Sequence, residues 1–264
     1  MRILFIGDIV GKIGRKALAL ALPEWRQKHE PDLVIANAEN IAHGLGVTPQ
    51  TLEEVRRLGV DFFTTGNHWA DKSEGIALFG DQETPIIRPA NWPGKVIGSG
   101  CRIIEAGATP VAIVNLLGQL FTGKLCDSPF HKLDEVLESL PPTVRVIIVD
   151  FQAEATSEKQ ALGYYAAGRV SAVLGTHTHV PTLDVRVLPP GTAYTTDIGM
   201  VGAVDSVIGD RKEEIIARFL DLFPRSLEVP ESGLAQVNAV LVEVEAASGR
   251  ATAIERLDTA VVVT

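Results

Sequence analysis

Two histidines stand one residue apart in Gly175-Thr176-His177-Thr178-His179-Val180-Pro181, directly after the apolar run Val170 to Leu174. That run reads as a buried strand. Side chains alternate along a strand, so His177 and His179 face the same side at its end. Imidazole is the commonest nitrogen ligand for zinc, iron and manganese. The pair can therefore offer two metal ligands on one face.

Other apolar runs end in residues of the same chemistry. Arg2 to Ile6 ends at Gly7-Asp8, and Asp32 to Ala36 ends at Asn37-Ala38-Glu39-Asn40. Val60 to Thr65 ends at Gly66-Asn67-His68, and Val144 to Phe151 carries Asp150 and Gln152. Each has an ordinary use: Asp8 can cap a helix, Asn40 can close an Asx turn, and Asn67 can sit at positive φ. In open α/β folds, however, ligands collect at the carboxyl ends of strands. Their joint occurrence points to one shared metal site.

The elements that must position these residues alternate in the first half. Helices are predicted at Gly14 to Lys28, at Pro49 to Leu58 behind a Thr48 cap, and briefly at Ser73 to Phe79. Pro85 to Gly100 reads as loop. A weak strand is expected at Arg102 to Glu105 and a stronger one at Val111 to Leu117. Helices follow at Lys132 to Leu140 and Ser157 to Gly168, then a strand at Thr192 to Thr196 and a helix at Glu213 to Phe223. Ala235 to Glu245 and Arg250 to Arg256 form an expected hairpin turning near Ala247-Ser248-Gly249. Alternating strands and helices imply βαβ units. The expectation is one α/β domain over residues 1–264, with two packed, mixed sheets flanked by helices.

Composition narrows the function. At 264 residues and 46% hydrophobic, the chain can bury a sizeable core. Its net charge of −9 argues against binding nucleic acid through backbone phosphates. Cys101 and Cys126 lack metal or redox spacing and read as two reduced thiols. No apolar segment approaches the roughly 18 residues of a membrane span, and no signal peptide precedes the first strand. A cytoplasmic protein without a membrane partner is expected. Gly7, Gly11 and Gly14 are spaced Gly-x-x-x-Gly-x-x-Gly, which is not the dinucleotide fingerprint. They are expected to permit a tight turn beside the site.

Gly7-Asp8, Gly66-Asn67-His68 and Gly175-Thr176-His177-Thr178-His179 together resemble the metallophosphoesterase (calcineurin-like) superfamily. Asn37-Ala38-Glu39-Asn40, Ala153-Glu154-Ala155-Thr156-Ser157-Glu158-Lys159 and Thr196-Asp197-Ile198-Gly199-Met200 narrow the likeness to the YmdB-like bacterial phosphodiesterases. The resemblance covers Met1 to about Arg256. It implies a four-layer α/β/β/α sandwich with a two-metal centre, iron or manganese foremost and zinc as a further choice. Asp8, Asn40 and His179 would bind one metal, Asn67 and His177 the other, and Glu39 would bridge them. His68 would face the substrate. Val10 stands where the wider superfamily has a histidine, and Asn40 is the branch's replacement. The branch also places a histidine before Ala-Glu-Ala-Thr-Ser-Glu-Lys; here Gln152 occupies that position. Its carboxamide oxygen is expected to coordinate more weakly than imidazole. Nothing in the spacing of His43 or His131 makes either a substitute.

The implied activity is hydrolysis of a small phosphodiester, 2′,3′-cyclic nucleotides such as 2′,3′-cAMP above all, including cyclic nucleotides derived from RNA. Two metals about 4 Å apart can share a hydroxide and clamp a phosphate. With Asp8 and Glu39 as the charged ligands, two divalent ions leave the site about +2, attractive to a phosphodiester. His68 would protonate the leaving oxygen. Self-association is implied as well. The competing reading, suggested by Gln152, is a catalytically weakened metal- and nucleotide-binding regulatory protein.

Overall fold

A computed structural model describes residues 1–264. The chain opens with β1 (Arg2–Ile6) and the short β2 (Asp8–Ile9), followed by α1 (Gly11–His29). Helix α1 buries Ile13, Ala17, Leu18, Leu22 and Trp25, the helical repeat of one face. It ends at Glu30 in the left-handed region, with Arg26, Lys28 and His29 complementing its carboxyl terminus. Next come β3 (Leu33–Asn37), α2 (Pro49–Arg56) and β4 (Phe62–Thr64). Thr48 caps α2 in a reciprocal pair with Thr51, and Pro49 occupies its first turn as expected. The short helix after β4 is a 3₁₀ helix, Ser73–Gly80.

The middle of the chain holds β5 (Cys101–Ala106), β6 (Thr109–Leu117), α3 (Pro129–Ser139), β7 (Val146–Gln152), α4 (Thr156–Ala166) and β8 (Ala172–Thr176). The last third holds β9 (Arg186–Leu188), β10 (Thr192–Thr195), β11 (Met200–Ala203) and α5 (Lys212–Asp221), then β12 (Gly233–Val237), β13 (Ala239–Glu245), β14 (Arg250–Arg256) and β15 (Thr259–Val263).

These strands form three mixed sheets, where two were expected. The first runs β14-β13-β1-β3-β4 and the second β5-β6-β7-β8-β10-β9. The third, β15-β12-β11-β2, exists because two segments change sheets. Gly7 breaks the first strand, so that β2 leaves β1 and pairs with β11. Asn238 breaks the expected Ala235–Glu245 strand: β12 pairs with β11 and β15, while β13 pairs with β1. The β13–β14 hairpin is present, with Ser248 and Gly249 in its turn.

Period-two alternation sorts the strand residues between cores. Ile3, Phe5, Leu33 and Ile35 of the first sheet pack with Val111, Ile113, Val146, Ile148 and Leu174 of the second. Their neighbours Leu4, Ile6, Val34 and Ala36 pack outward with Ile13, Leu18 and Leu22 of α1 and Leu52 of α2. Val149 and Phe151 pack outward with Leu133 of α3 and Leu162 of α4. Strands β1, β3, β7 and β8 are buried on both faces, which is why each reads as a nearly continuous apolar run. No helix is long and apolar enough to cross a membrane.

Candidate metal centre

The carboxyl ends of β1, β3, β4, β7 and β8 bring the expected residues to one place. Asp8 follows Gly7, where an added Cβ would lie 1.8 Å from the Gly199 carbonyl oxygen. Gly14 is equally pressed, 2.3 Å from the Val201 carbonyl. These two glycines allow close packing on the β11 backbone, and only Gly11, at φ +59°, makes the expected turn.

Asp8 is fully buried. Its Oδ2 accepts the His177 backbone N–H at 3.2 Å, and its Oδ1 receives no hydrogen bond. His179 Nε2 lies 3.9 Å from that oxygen and 3.1 Å from Asn40 Nδ2. The other nitrogen of His179 is 2.6 Å from the Ile208 carbonyl, which can only accept. Nδ1 therefore carries the hydrogen, and the Nε2 lone pair accepts from Asn40 Nδ2 on the side of Asp8. Such a carbonyl partner is the usual device for orienting a ligating imidazole.

Glu39 is buried and lies under Asn40, Gln152 and the His68 backbone N–H. Burial pushes its carboxyl well above the ordinary range, with Asp8 adding repulsion. Burial likewise raises Asp8 and lifts Asp150 to about 7. Buried acids this close together call for a cation. Asn67, also buried, leaves its Oδ1 without a donor. The convergence depends on amides, for no three His, Cys, Asp or Glu side chains form a metal cluster by themselves.

The orphaned oxygens of Asp8 and Asn67, and the Nε2 lone pair of His179 that meets only the Asn40 amide, fit a metal ion. Gln152 stands among them but turns the other way. Its Oε1 accepts from Thr176 Oγ1 at 2.6 Å and Asn37 Nδ2 at 3.1 Å. Its Nε2 faces Glu39 Oε1 and, at 3.2 Å, His177 Nδ1. The expectation of an inward amide oxygen is thus corrected: an N–H donor faces the site. His177 is held on its other nitrogen by Glu154, 3.0 Å away, and burial lowers the ring to about 4, so it is neutral.

His68 sits at the rim. Its Nδ1 lies 2.6 Å from Asp71 Oδ2, and Lys124 approaches the other Asp71 oxygen at 3.7 Å. Asn37, Glu154 and Thr176 stand within the sequence motifs without an assigned role, and Asp71 and Ile208 escaped the sequence reading. Asp71 left a signal, an acid three residues after a histidine. His43 and His131 lie outside the group. A groove of about 780 Å³ lined by Phe79, Ile97, Cys101, Arg102 and Leu140 shares none of these residues.

Residues 4–257 match the family model described as YmdB-like protein. The chain belongs to the YmdB-like family. A YmdB-like relative from Bacillus subtilis, the 2′,3′-cyclic-nucleotide 2′-phosphodiesterase, is 43% identical over 257 residues, 97% of this chain and 96% of the relative. The crystal structure of a phosphatase from Mycoplasma pneumoniae superposes with a TM-score of 0.92 at 34% identity, covering 98% of this chain and 93% of that one. The NAD nucleotidase of Haemophilus influenzae matches all of this YmdB-like chain and 56% of its own, with a TM-score of 0.60 at 15% identity, a likeness of fold.

Proposed function

We propose that the chain is a metal-dependent phosphodiesterase acting on small phosphodiesters, with 2′,3′-cyclic nucleotides as the foremost substrates. The observation that carries this reading is Asp8 Oδ1, a fully buried carboxylate oxygen without a donor, 3.9 Å from Nε2 of His179. The Bacillus subtilis relative supports the substrate class. The four-layer α/β/β/α description is supported by one core between the two large sheets and one beneath each pair of helices.

In this reading Asp8, Asn40, His179 and Glu39 hold one cation, and Asn67, His177 and Glu39 hold a second. Iron or manganese suits a donor set of oxygens and imidazoles, and zinc is tolerated. Such ions polarise a phosphoryl oxygen and lower the pKa of water. The residues themselves do the rest. Asp71 accepts from Nδ1–H of His68, fixing the ring and leaving Nε2 to pass a proton to the departing ribose oxygen. Water adds to phosphorus, the P–O2′ bond breaks, and a 3′-nucleotide leaves. Buried Glu39 and Asp8 are held away from bulk water by the strand ends, which strengthens their grip on a cation. Self-association belongs to the same proposal, through the exposed Ile216, Phe219 and Leu220 face of α5.

The test is hydrolysis of 2′,3′-cAMP by the full chain, with and without added Mn²⁺, read by product chromatography. Turnover to 3′-AMP that chelation abolishes is expected. Binding of the cyclic nucleotide without turnover in saturating Mn²⁺ would transfer the case to a regulatory binding protein. That second reading is favoured by the inward amide of Gln152.

A further inference from the structure

We propose that Gln152 serves as a hydrogen-bond donor to Glu39 and His177 and not as a metal ligand. The cation position at Asp8 and His179 is then built for tight binding, and the one at Asn67 and His177 for weak, exchangeable binding. This rests on the metal-centre reading above and deepens it.

The direction of the Gln152 amide is fixed from outside the site. The backbone N–H of Glu39 donates to Asn37 Oδ1 at 3.0 Å, so the other end of Asn37 must be its NH₂ group. That NH₂ donates to Asp150 Oδ2 at 3.0 Å and to Gln152 Oε1 at 3.1 Å. Thr176 Oγ1 lies 2.6 Å from both this Gln152 oxygen and Asp150 Oδ1 and has one hydrogen for the two, so Asn37 is the group that sets the direction. Reversing the amide would set the NH₂ groups of Gln152 and Asn37 against each other. Reversing Asn37 as well would strand the Glu39 N–H. All of these groups are buried, so no bulk water compensates either change.

An amide nitrogen has no lone pair available to a cation. Gln152 Nε2 instead donates to an oxygen of Glu39, the carboxylate that would be shared between two metals. It also caps His177 Nδ1, while Glu154 holds the opposite ring nitrogen. Both nitrogens of His177 thus have protein partners. Those of His179 do too, the Ile208 carbonyl on Nδ1 and Asn40 Nδ2 at 3.1 Å on Nε2, but no hydrogen bond holds the Asn40 amide oxygen, so that amide can turn and uncover Nε2 beside the orphaned Asp8 oxygen. One position therefore opens with a turn of Asn40. The other keeps only the Asn67 oxygen free and must displace the Gln152 contacts to form. Activity in this chain is then governed by the free concentration of the second ion.

The experiment is metal counting on the full chain. Wild type, Gln152→His and Gln152→Leu are loaded with Mn²⁺, dialysed at low free Mn²⁺ and assayed by mass spectrometry, with isothermal titration for affinity. The expected result is about one retained Mn²⁺ in wild type and in Gln152→Leu, and about two in Gln152→His. The second ion should bind at least about ten-fold tighter in Gln152→His than in wild type, as for other groups that tune a metal ligand set. Two retained ions in wild type would overturn the inference while leaving the metal-centre reading intact. So would a Gln152→His protein that gains nothing. No retained ion in any of the three would overturn both. The wild-type count decides even where a variant fails to fold.

Discussion

Lys159 Nζ lies 2.6 Å from Asp197 Oδ2, and both side chains are almost wholly buried. The pair does more than cancel two charges. Lys159 also donates to the Thr176 carbonyl at 2.7 Å, and Asp197 accepts from the backbone and hydroxyl of Thr178 at 3.1 and 2.7 Å. These bonds fasten the turn in which His177 and His179 both adopt positive φ, at 96° and 64°. Removing one partner leaves a buried, uncompensated charge, which costs about 3–5 kcal/mol. Lys159→Met should lower the urea midpoint accordingly and loosen metal binding with it. An unchanged midpoint would mean that the turn is held by other contacts.

His68→Ala should lower kcat for 2′,3′-cAMP by about 10²–10⁴-fold, the usual range for a lost proton donor. Retained metal should be unchanged, because the His68 ring contacts Asp71 and no proposed ligand. Asp71→Asn should lower kcat by less, since an amide oxygen can still accept from the ring but the negative charge beside it is gone. Metal analysis beside steady-state kinetics separates the roles, and metal loss in His68→Ala would make His68 a ligand.

Gly66 packs directly against two side chains of the site. A Cβ there would lie 2.1 Å from Glu39 Oε2 and 2.4 Å from Gln152 Cγ. Gly66→Ala must push both side chains, an overpacking worth about 1–3 kcal/mol. Thermal melting should show that loss, and Mn²⁺ titration should show weaker binding. A variant with unaltered Mn²⁺ affinity would show that Glu39 can move without consequence.

Burial pushes the Cys101 and Cys126 thiols up to about 11. A thiol raised in the folded state favours folding fully below its unfolded value of about 8.5, and that contribution is lost as pH rises toward 11. At pH 8 both should react with iodoacetamide at least about ten-fold more slowly than free cysteine, since the thiolate is the reactive form. Reaction at the free-cysteine rate at that pH would contradict the burial argument.

The sequence was most legible where a side chain declares its chemistry at the end of an apolar run. Asp8, Glu39, Asn40, Asn67, His177 and His179 were singled out that way, and close approaches link Asp8, Glu39, Asn40, His177 and His179 through Gln152 and one another. What stayed hidden acts through direction. Which end of Gln152 points inward depends on Asn37, a neighbour from another strand, and no spacing encodes that. The sheets show the same division. Apolar runs announced β1, β3, β7 and β8, but Asn238 looked like a polar residue inside one long strand. Its backbone carbonyl accepts from Gly7 and its side chain donates to Asp258, bonds that form only once distant segments meet. Strand β15 went unnoticed because its five residues draw their meaning from pairing with β12.

Strand β1 lies between β3 and β13 in its sheet, and its register with β13 joins Arg2 to Glu243 and Ile6 to Ala239. On a ribosome, β1 emerges long before its second neighbour, β13, exists. Until then one side of β1 offers unpaired backbone groups to any passing chain. Contacts so remote in sequence slow folding and prolong that exposure. Synthesis of this protein should therefore depend on chaperones that shield its amino-terminal third, and a chain stalled before residue 239 should be aggregation-prone even though every proposed metal ligand has already been made.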